Sequence, residues 1–491
     1  MIIKNTVYNL LGLGLPLLVA VASMPVLIHS LGDARFGVLT LIWAVVSYFG
    51  LFDLGLGRAL TQQLSVLIAE ERHADIAPMV FTSLLMMTGL GLLASALLWF
   101  GAEFGAHSIS HAEDNGEIVG SIRVMAIAMP FIVLTTGLRG ILEAKSAFGV
   151  INLIRLPMGI FTFLGPLAIV LWYKNDLIAV TAMLTAGRII ACLVHGYFAA
   201  RSLPGMLSSK HFNAGFMKPL LVSGGWMTVT NIISPLMSYL DRFLISTTIS
   251  AAAVAYYVTP NEMITKIWII PGALTAVLFP AFSSQIGGGR GHELVELYRR
   301  SVLYLLLAIT PMTLIIAFAS QDILTLWVGA AFSEQSTSLL RIFSYGVLIS
   351  SITQIPFSLL QGAGKAALTA KVHVVEFPLY CLLLWLGCSY YGLEGAALVW
   401  LLRICADAWL MFYFSFDVLE IKFKEVLGGK FIVLMTLITL SFLISLNPLA
   451  TFKAWQFSAC FAIIAAYTWF NFLSEVERLF FKRKVYAIFG K

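Results

Sequence analysis

Thirteen ionisable side chains lie near or within the long apolar runs of this 491-residue chain: Asp53, Arg58, Arg123, Arg155, Arg188, Asp241, Arg242, Glu262, Lys266, Arg341, Glu376, Arg403 and Asp407. A charge in hydrocarbon is costly, so each needs a partner, a water-filled cavity or a function. Eight are cations and five are carboxylates, and this surplus calls for an anionic counterpart. Arginine makes forked hydrogen bonds to phosphate and stays charged. A cleft lined this way suits a diphosphate headgroup, whereas a carrier of cationic drugs would want unpaired carboxylates and aromatics.

Spacing sorts these residues further. Glu262–Lys266 and Arg403–Asp407 are four apart, the distance at which helical side chains meet. Asp241 and Arg242 are adjacent, point in different directions and need separate partners. Asp241, Glu262, Glu376 and Asp407 are the carboxylates able to bind a proton or Na⁺. The bland alternative is that such pairs only neutralise each other between packed helices. Arg123, Arg155 and Arg341 read as anchors near the membrane interface.

Other chemistry is absent from the pattern. GAGKA (362–366) lacks the GxxxxGK[ST] spacing of a phosphate loop, and GGGRG (287–291) reads as a turn. His107 and His111 with Glu113 and Asp114 read as a solvated acidic loop rather than a metal site. There is no HExxH on a helix and no Ser/His/Asp arrangement. Cys192, Cys381, Cys388, Cys405 and Cys460 have no ligand spacing and read as small buried residues. No cofactor is expected beyond an H⁺ or Na⁺ coupling ion.

The elements that must hold these charges are membrane spans. The chain is 59% hydrophobic and 11% charged, with mean hydropathy +0.91, against about 25% charged in soluble domains. About 20 apolar residues cross a bilayer as a helix. Fourteen spans are predicted, near 6–30, 36–56, 77–101, 118–138, 150–172, 178–200, 219–247, 252–282, 299–320, 338–361, 368–390, 393–416, 430–446 and 455–473. The first run is too long for a cleaved leader and reads as a retained span. Prolines 16, 25, 235, 260, 271 and 280 free backbone groups and allow kinks. Trp99-Phe100 and Trp172-Tyr173 fit interface belts.

Basic residues orient the spans. With the N-terminus inside, the cytoplasmic loops carry Arg58, Arg72, Arg139, Lys145, Arg201, Lys210, Lys218, Arg290, Arg299, Arg300, Lys365, Lys371, Lys422, Lys424 and Lys430. The tail adds Arg478, Lys482, Arg483, Lys484 and Lys491. The outer loops carry only Arg35, Lys174 and Lys453. Both termini are therefore expected in the cytoplasm. The net charge of +6 is spread over many short loops, which argues against nucleic-acid binding.

The chain also repeats itself. GLRGILEAKSAFGVINLIRLP (137–157) resembles SLLQGAGKAALTAKVHVVEFP (358–378), and GRIIACL (187–193) resembles LRICADA (402–408), aligning Arg188 with Arg403. Pro25 has its counterpart in Pro235. The expected architecture is an all-α polytopic membrane protein of two six-helix lobes in parallel repeat topology, 1–210 and 211–425. Two additional helices and a basic tail follow at 426–491. Two lobes around a cleft suit alternating access.

The N-terminal run NLLGLGLPLLVAVASMPVLIHSLGDARFGVLTLIWAVVSYFGLFDLGLGRALTQQ resembles the polysaccharide (Wzx-type, O-antigen) flippases of the multidrug/oligosaccharidyl-lipid/polysaccharide exporter superfamily. The matching features are the proline-bearing first helix, the turn from Leu31 to Gly37 and the FDLGLGRA end of the second helix. YLDRFLIS (239–246), AYYVTP (255–260), ILTLWVG (323–329) and LLQGAGK (359–365) are similar too. The resemblance implies a central cationic cavity. It also implies transfer of an undecaprenyl-diphosphate-linked oligosaccharide from the cytoplasmic to the periplasmic leaflet of a bacterial inner membrane. It carries over Arg58, Asp241, Arg242 and Lys266. The first helix lacks the arginines of lipid II flippases, which argues against a peptidoglycan precursor.

The expected diphosphate or cavity residues are thus Arg58, Arg188, Arg242, Lys266 and Arg403. The expected gate or ion-coupling residues are Asp53, Asp241, Glu262 and Asp407. Asp53 would close the cytoplasmic mouth by pairing with a basic residue of the other lobe. Gly55 and Gly57 would permit close helix approach or local unwinding. Expected partners are membrane lipid, the lipid-linked oligosaccharide and the polysaccharide polymerase machinery. Two other functions remain open: a cation-coupled drug or metabolite exporter of the same superfamily, and a membrane glycan polymerase or ligase. The latter predicts a large outer loop with catalytic charges, and the longest outer loops here are short and lack Lys and Arg.

Overall fold

The computed structural model describes residues 53–109, 116–173, 176–206, 211–421, 428–446 and 453–472, with isolated positions before and after. The first expected span, most of the second, and His111, Glu113 and Asp114 lie outside the described residues.

The described elements are α1 (Leu56–Ala69), α2 (His73–Ile109), α3 (Gly116–Ala144), α4 (Phe148–Trp172), α5 (Leu177–Ser202), α6 (Ala214–Thr248) and α7 (Ala251–Thr265). A 3-10 turn, Lys266–Trp268, leads into α8 (Ile269–Gly287). Then come α9 (Gly291–Phe318), α10 (Ser320–Val328), α11 (Ala330–Gly362), α12 (Ala366–Leu419), α13 (Gly429–Leu446) and α14 (Lys453–Asn471). No strand occurs among the described residues. Nine stretches of them are long and apolar enough to cross a membrane. The chain is an all-α polytopic membrane protein, because only a helix satisfies its own backbone groups in lipid without closing a barrel.

Three local features depart from uninterrupted spans. The 54-residue α12 contains Gly392 at φ 59°, ψ −140°, so two predicted spans meet at a kink that only glycine adopts freely. The predicted span 252–282 is divided by the 3-10 turn at Lys266. Pro271 follows closely, and its missing N–H cannot serve the Ile267 carbonyl.

The third departure corrects the expected end of the second span and the loop position of Arg58. Asp53, Leu54 and Gly55 form a turn, with Leu54 at φ 51° and Gly55 at φ 68°. A separate helix, α1, starts at Leu56. Leu56, Leu60, Leu64 and Leu67 recur at helical spacing and are all buried, which is why this stretch folds as an amphipathic helix rather than a loop.

The described residues cluster into two compact units. The first comprises Met1–Ser234, Gly272–Leu294 and Ser358–His373. Its core joins Leu60 and Leu64 of α1, Met79 of α2, Ile141 of α3, Phe148 of α4 and Val277 of α8. Within this unit, residues 272–294 and 358–373 therefore pack with residues before Ser234. The other unit comprises Pro235–Pro271, Val295–Phe357 and Val374–Lys491. There Phe343 packs edge-on against Tyr257 at 5.0 Å and Trp400 at 5.2 Å, and Gly346 gives room to the indole. Phe100, Trp172 and Tyr173 are exposed, as membrane-interface residues are.

Candidate functional site

The turn before α1 is held by Asp53. Its Oδ1 accepts the Gly55 N–H at 2.8 Å, and its Oδ2 accepts the Gly57 N–H at 3.2 Å and the Thr136 hydroxyl at 2.9 Å. The carboxylate is buried and satisfies N–H groups that the new helix would otherwise leave unpaired. Gly57 lets this happen, since a Cβ there would lie 2.8 Å from Asp53 Oδ2. Asp53 thus engages its own repeat.

Arg58, one turn on, makes the contact with the second repeat inside the first unit. Its Nη1 donates to Gln361 Oε1 at 3.0 Å, and its guanidinium lies 6.0 Å from the centre of the Phe279 ring. The side chain is exposed. Arg188 projects from α5 half-buried and has no ion-pair or hydrogen-bond partner among the described residues.

In the second unit the neighbours Asp241 and Arg242 take different partners, as their adjacency on a helix requires. Arg242 Nη2 donates to Glu262 Oε1 at 2.6 Å, and Lys266 Nζ donates to Glu262 Oε2 at 2.8 Å. Two cations share one carboxylate, so the triad keeps a net positive charge. Lys266 is 71% exposed at its side chain and is free to meet a ligand.

Asp241 is buried. Its Oδ2 accepts the Tyr257 hydroxyl at 3.0 Å, and its Oδ1 accepts the Tyr380 hydroxyl at 2.5 Å. The Arg403 guanidinium lies 5.1 Å from the centre of the Tyr380 ring, and Arg403 acts electrostatically on both Asp241 and Glu376. Carboxylate oxygens of Glu376 and Asp407 lie within 4.8 Å of each other. Arg403 thus stands among three carboxylates contributed by α6 and α12. Buried carboxylates grouped in this way are the groups able to take up a proton or a cation.

The structure gathers Arg242, Glu262 and Lys266 into one triad, and Asp241, Arg403 and Asp407 into a second cluster. It holds Arg58 with Gln361 and leaves Arg188 apart. Sequence reasoning singled out neither Thr136 nor Gln361, Tyr257 or Tyr380. Tyr380 sits four residues after Glu376, a weak clue at most. Tyr257 and Gln361 lie in the AYYVTP and LLQGAGK stretches, but nothing in those stretches names their partners, which tertiary packing supplies.

Residues 2–285 match the family model described as polysaccharide biosynthesis protein, and residues 227–386 match the MatE model. A Shigella flexneri protein named "Putative O-antigen transporter" is 34% identical over 413 residues, covering 84% of this chain and 96% of that protein. A MATE transporter of Vibrio cholerae, solved in a bent form, superposes with TM-score 0.69 at 17% identity, covering 85% of this chain and 96% of that one. An outward-facing multidrug resistance MATE family transporter of the MOP superfamily gives TM-score 0.72 at 15% identity, covering 85% and 95%. These last two establish the fold. The Shigella flexneri relative is named as a transporter, which sets the polymerase or ligase alternative aside. The chain is a membrane transporter that belongs to the polysaccharide biosynthesis protein family, within the multidrug/oligosaccharidyl-lipid/polysaccharide exporter superfamily.

Proposed function

We propose that this chain flips an undecaprenyl-diphosphate-linked oligosaccharide from the cytoplasmic to the periplasmic leaflet of a bacterial inner membrane, for a surface polysaccharide of the O-antigen type. The observation that carries this reading is the Arg242–Glu262–Lys266 triad, in which two cations meet on one carboxylate and the Lys266 side chain remains 71% exposed. Arg58, and Arg188 with no partner among the described residues, add cations of the same use. The Shigella flexneri relative points to the same substrate class. A guanidinium or ammonium kept at membrane depth without full neutralisation is best explained by an anionic substrate.

Transport proceeds by alternating access between two six-helix lobes, 1–210 and 211–425, with both termini cytoplasmic. The helices of 426–491 lie outside this repeat. The carboxylates Asp241, Glu376 and Asp407 around Arg403 serve as the coupling site for H⁺ or Na⁺. Protonation or cation binding there would change the partners of Tyr257 and Tyr380, and so the packing of α6 against α7 and α12. The polysaccharide polymerase machinery receives the product.

The likeness to multidrug MATE transporters favours one second reading, a cation-coupled exporter of drugs or metabolites. Deletion in the source bacterium separates the two. Lipid-linked oligosaccharide that accumulates, is shielded from an impermeant sugar-oxidising reagent on sealed spheroplasts, and accompanies loss of surface polysaccharide supports the flippase. Normal surface glycan with heightened drug sensitivity supports the exporter.

A further inference from the structure

Gln361 closes α11 with only 1% of its surface exposed. Arg58 Nη1 donates to its Oε1 at 3.0 Å. That bond fixes the amide, because a guanidinium has no acceptor and the amide oxygen must face it. The Nε2 group therefore points away, and it is buried with no hydrogen-bond partner. A buried donor without an acceptor is destabilising, and such a group in a native structure calls for an explanation.

The surroundings do not supply the missing acceptor. Among the nearby hydroxyls, Ser283 donates to the Phe279 and Gly362 carbonyls, at 3.0 Å each, and makes no bond to the amide. The Phe279 ring covers the guanidinium. Arg58 also has N–H groups beyond the one given to Gln361. The two side chains together present several donors, beside the Glu143 and Asp53 carboxylates that also act on Arg58.

We propose that Gln361 reads the second phosphoryl group of the transported lipid, its NH₂ donating to that group while Arg58 binds the first. This rests on the flippase reading for the identity of the ligand and adds a residue to it. Opening of the Arg58–Gln361 contact releases that bond and frees two donor groups at one place, enough to hold adjacent phosphoryl groups. Gln361 thereby selects a diphosphate over a monophosphate. Its NH₂ is sealed in this conformation, so the ligand reaches it only when the contact between α1 and the end of α11 opens. The orphaned donor disfavours the closed contact and is satisfied in the liganded one.

The test uses the purified full chain in detergent, with farnesyl diphosphate and farnesyl monophosphate as probes and native mass spectrometry as the readout. The wild type is expected to prefer the diphosphate. Gln361→Met keeps the side-chain length and removes both amide donors, and should weaken diphosphate binding about tenfold while monophosphate binding stays within about twofold. Gln361→Glu is isosteric, pairs Arg58 as an ion and should weaken both probes. It also keeps the measurement available where the methionine variant misfolds. Equal affinity of the wild type for both probes overturns the proposal, as does unchanged diphosphate binding in both variants. A trapped lipid-linked oligosaccharide in deletion cells with unchanged probe binding in the variants sinks Gln361 alone. Normal glycan in those cells sinks the flippase reading instead.

Discussion

Gly224 of α6 lies directly on the backbone of the turn before α1: a Cβ built on it would sit 2.6 Å from the Leu54 carbonyl oxygen, with Gly55 against the same point. The turn around Asp53 is thus clamped between its own carboxylate and a helix of the second repeat. Gly224→Ala should lower stability by about 1–3 kcal/mol through overpacking. Gly225→Ala, where a Cβ meets nothing within 4 Å, is the control. Thermal unfolding in detergent checks the pair, and equal melting temperatures would refute the clamp.

Asp53→Asn should also destabilise. The amide retains one acceptor where the carboxylate serves Gly55, Gly57 and Thr136. The expected loss is about 1–2 kcal/mol. Thr136→Val should cost less, and its effect should shrink in the Asp53→Asn background because the two share a bond. A double-mutant cycle on melting temperatures measures that coupling, and simple additivity would contradict it.

The Arg242–Glu262–Lys266 triad is partly exposed, so its value to stability is small. Glu262→Gln should change stability by about 0–1 kcal/mol. It should nonetheless change transport, because it leaves Arg242 and Lys266 without the shared carboxylate and raises the local positive charge. Surface polysaccharide at matched protein levels is the readout. Unaltered export would make the triad a passive ion pair.

Arg188 has no partner among the described residues and costs desolvation without return. Arg188→Leu should leave the melting temperature unchanged or raise it by a few degrees, and should abolish export. A variant that unfolds would instead give Arg188 a structural role.

Tyr257→Phe and Tyr380→Phe each remove a donor to buried Asp241. Each should cost about 1–3 kcal/mol. Their combination should cost at least the sum, since Tyr257 serves Oδ2 and Tyr380 serves Oδ1, and losing both leaves the buried carboxylate without either donor. Both should shift the dependence of export on the H⁺ or Na⁺ gradient, and a gradient response identical to the wild type would remove this cluster from coupling.

The membrane class, most span positions and the Glu262–Lys266 pair were legible in the sequence. Apolar runs of bilayer length are local facts, and a pair four apart on a helix meets by geometry alone. The kink at Gly392 also falls between two predicted spans. The helix α1 was less legible, because FDLGLGRA reads as a helix end until the Asp53 carboxylate is seen turning back to the Gly55 and Gly57 amides. Its leucines then continue as a second helix.

Partnership was decided by tertiary structure. Asp241 and Arg242 are neighbours in sequence, yet one meets Tyr257 and Tyr380 while the other meets Glu262. Arg58 meets Gln361, 303 residues away. Sequence alone determined that charges lie at membrane depth and that cations outnumber carboxylates among them. Which cation is neutralised and which stays available to a ligand depends on helix rotation and crossing, set by close packing of side chains far apart in the chain.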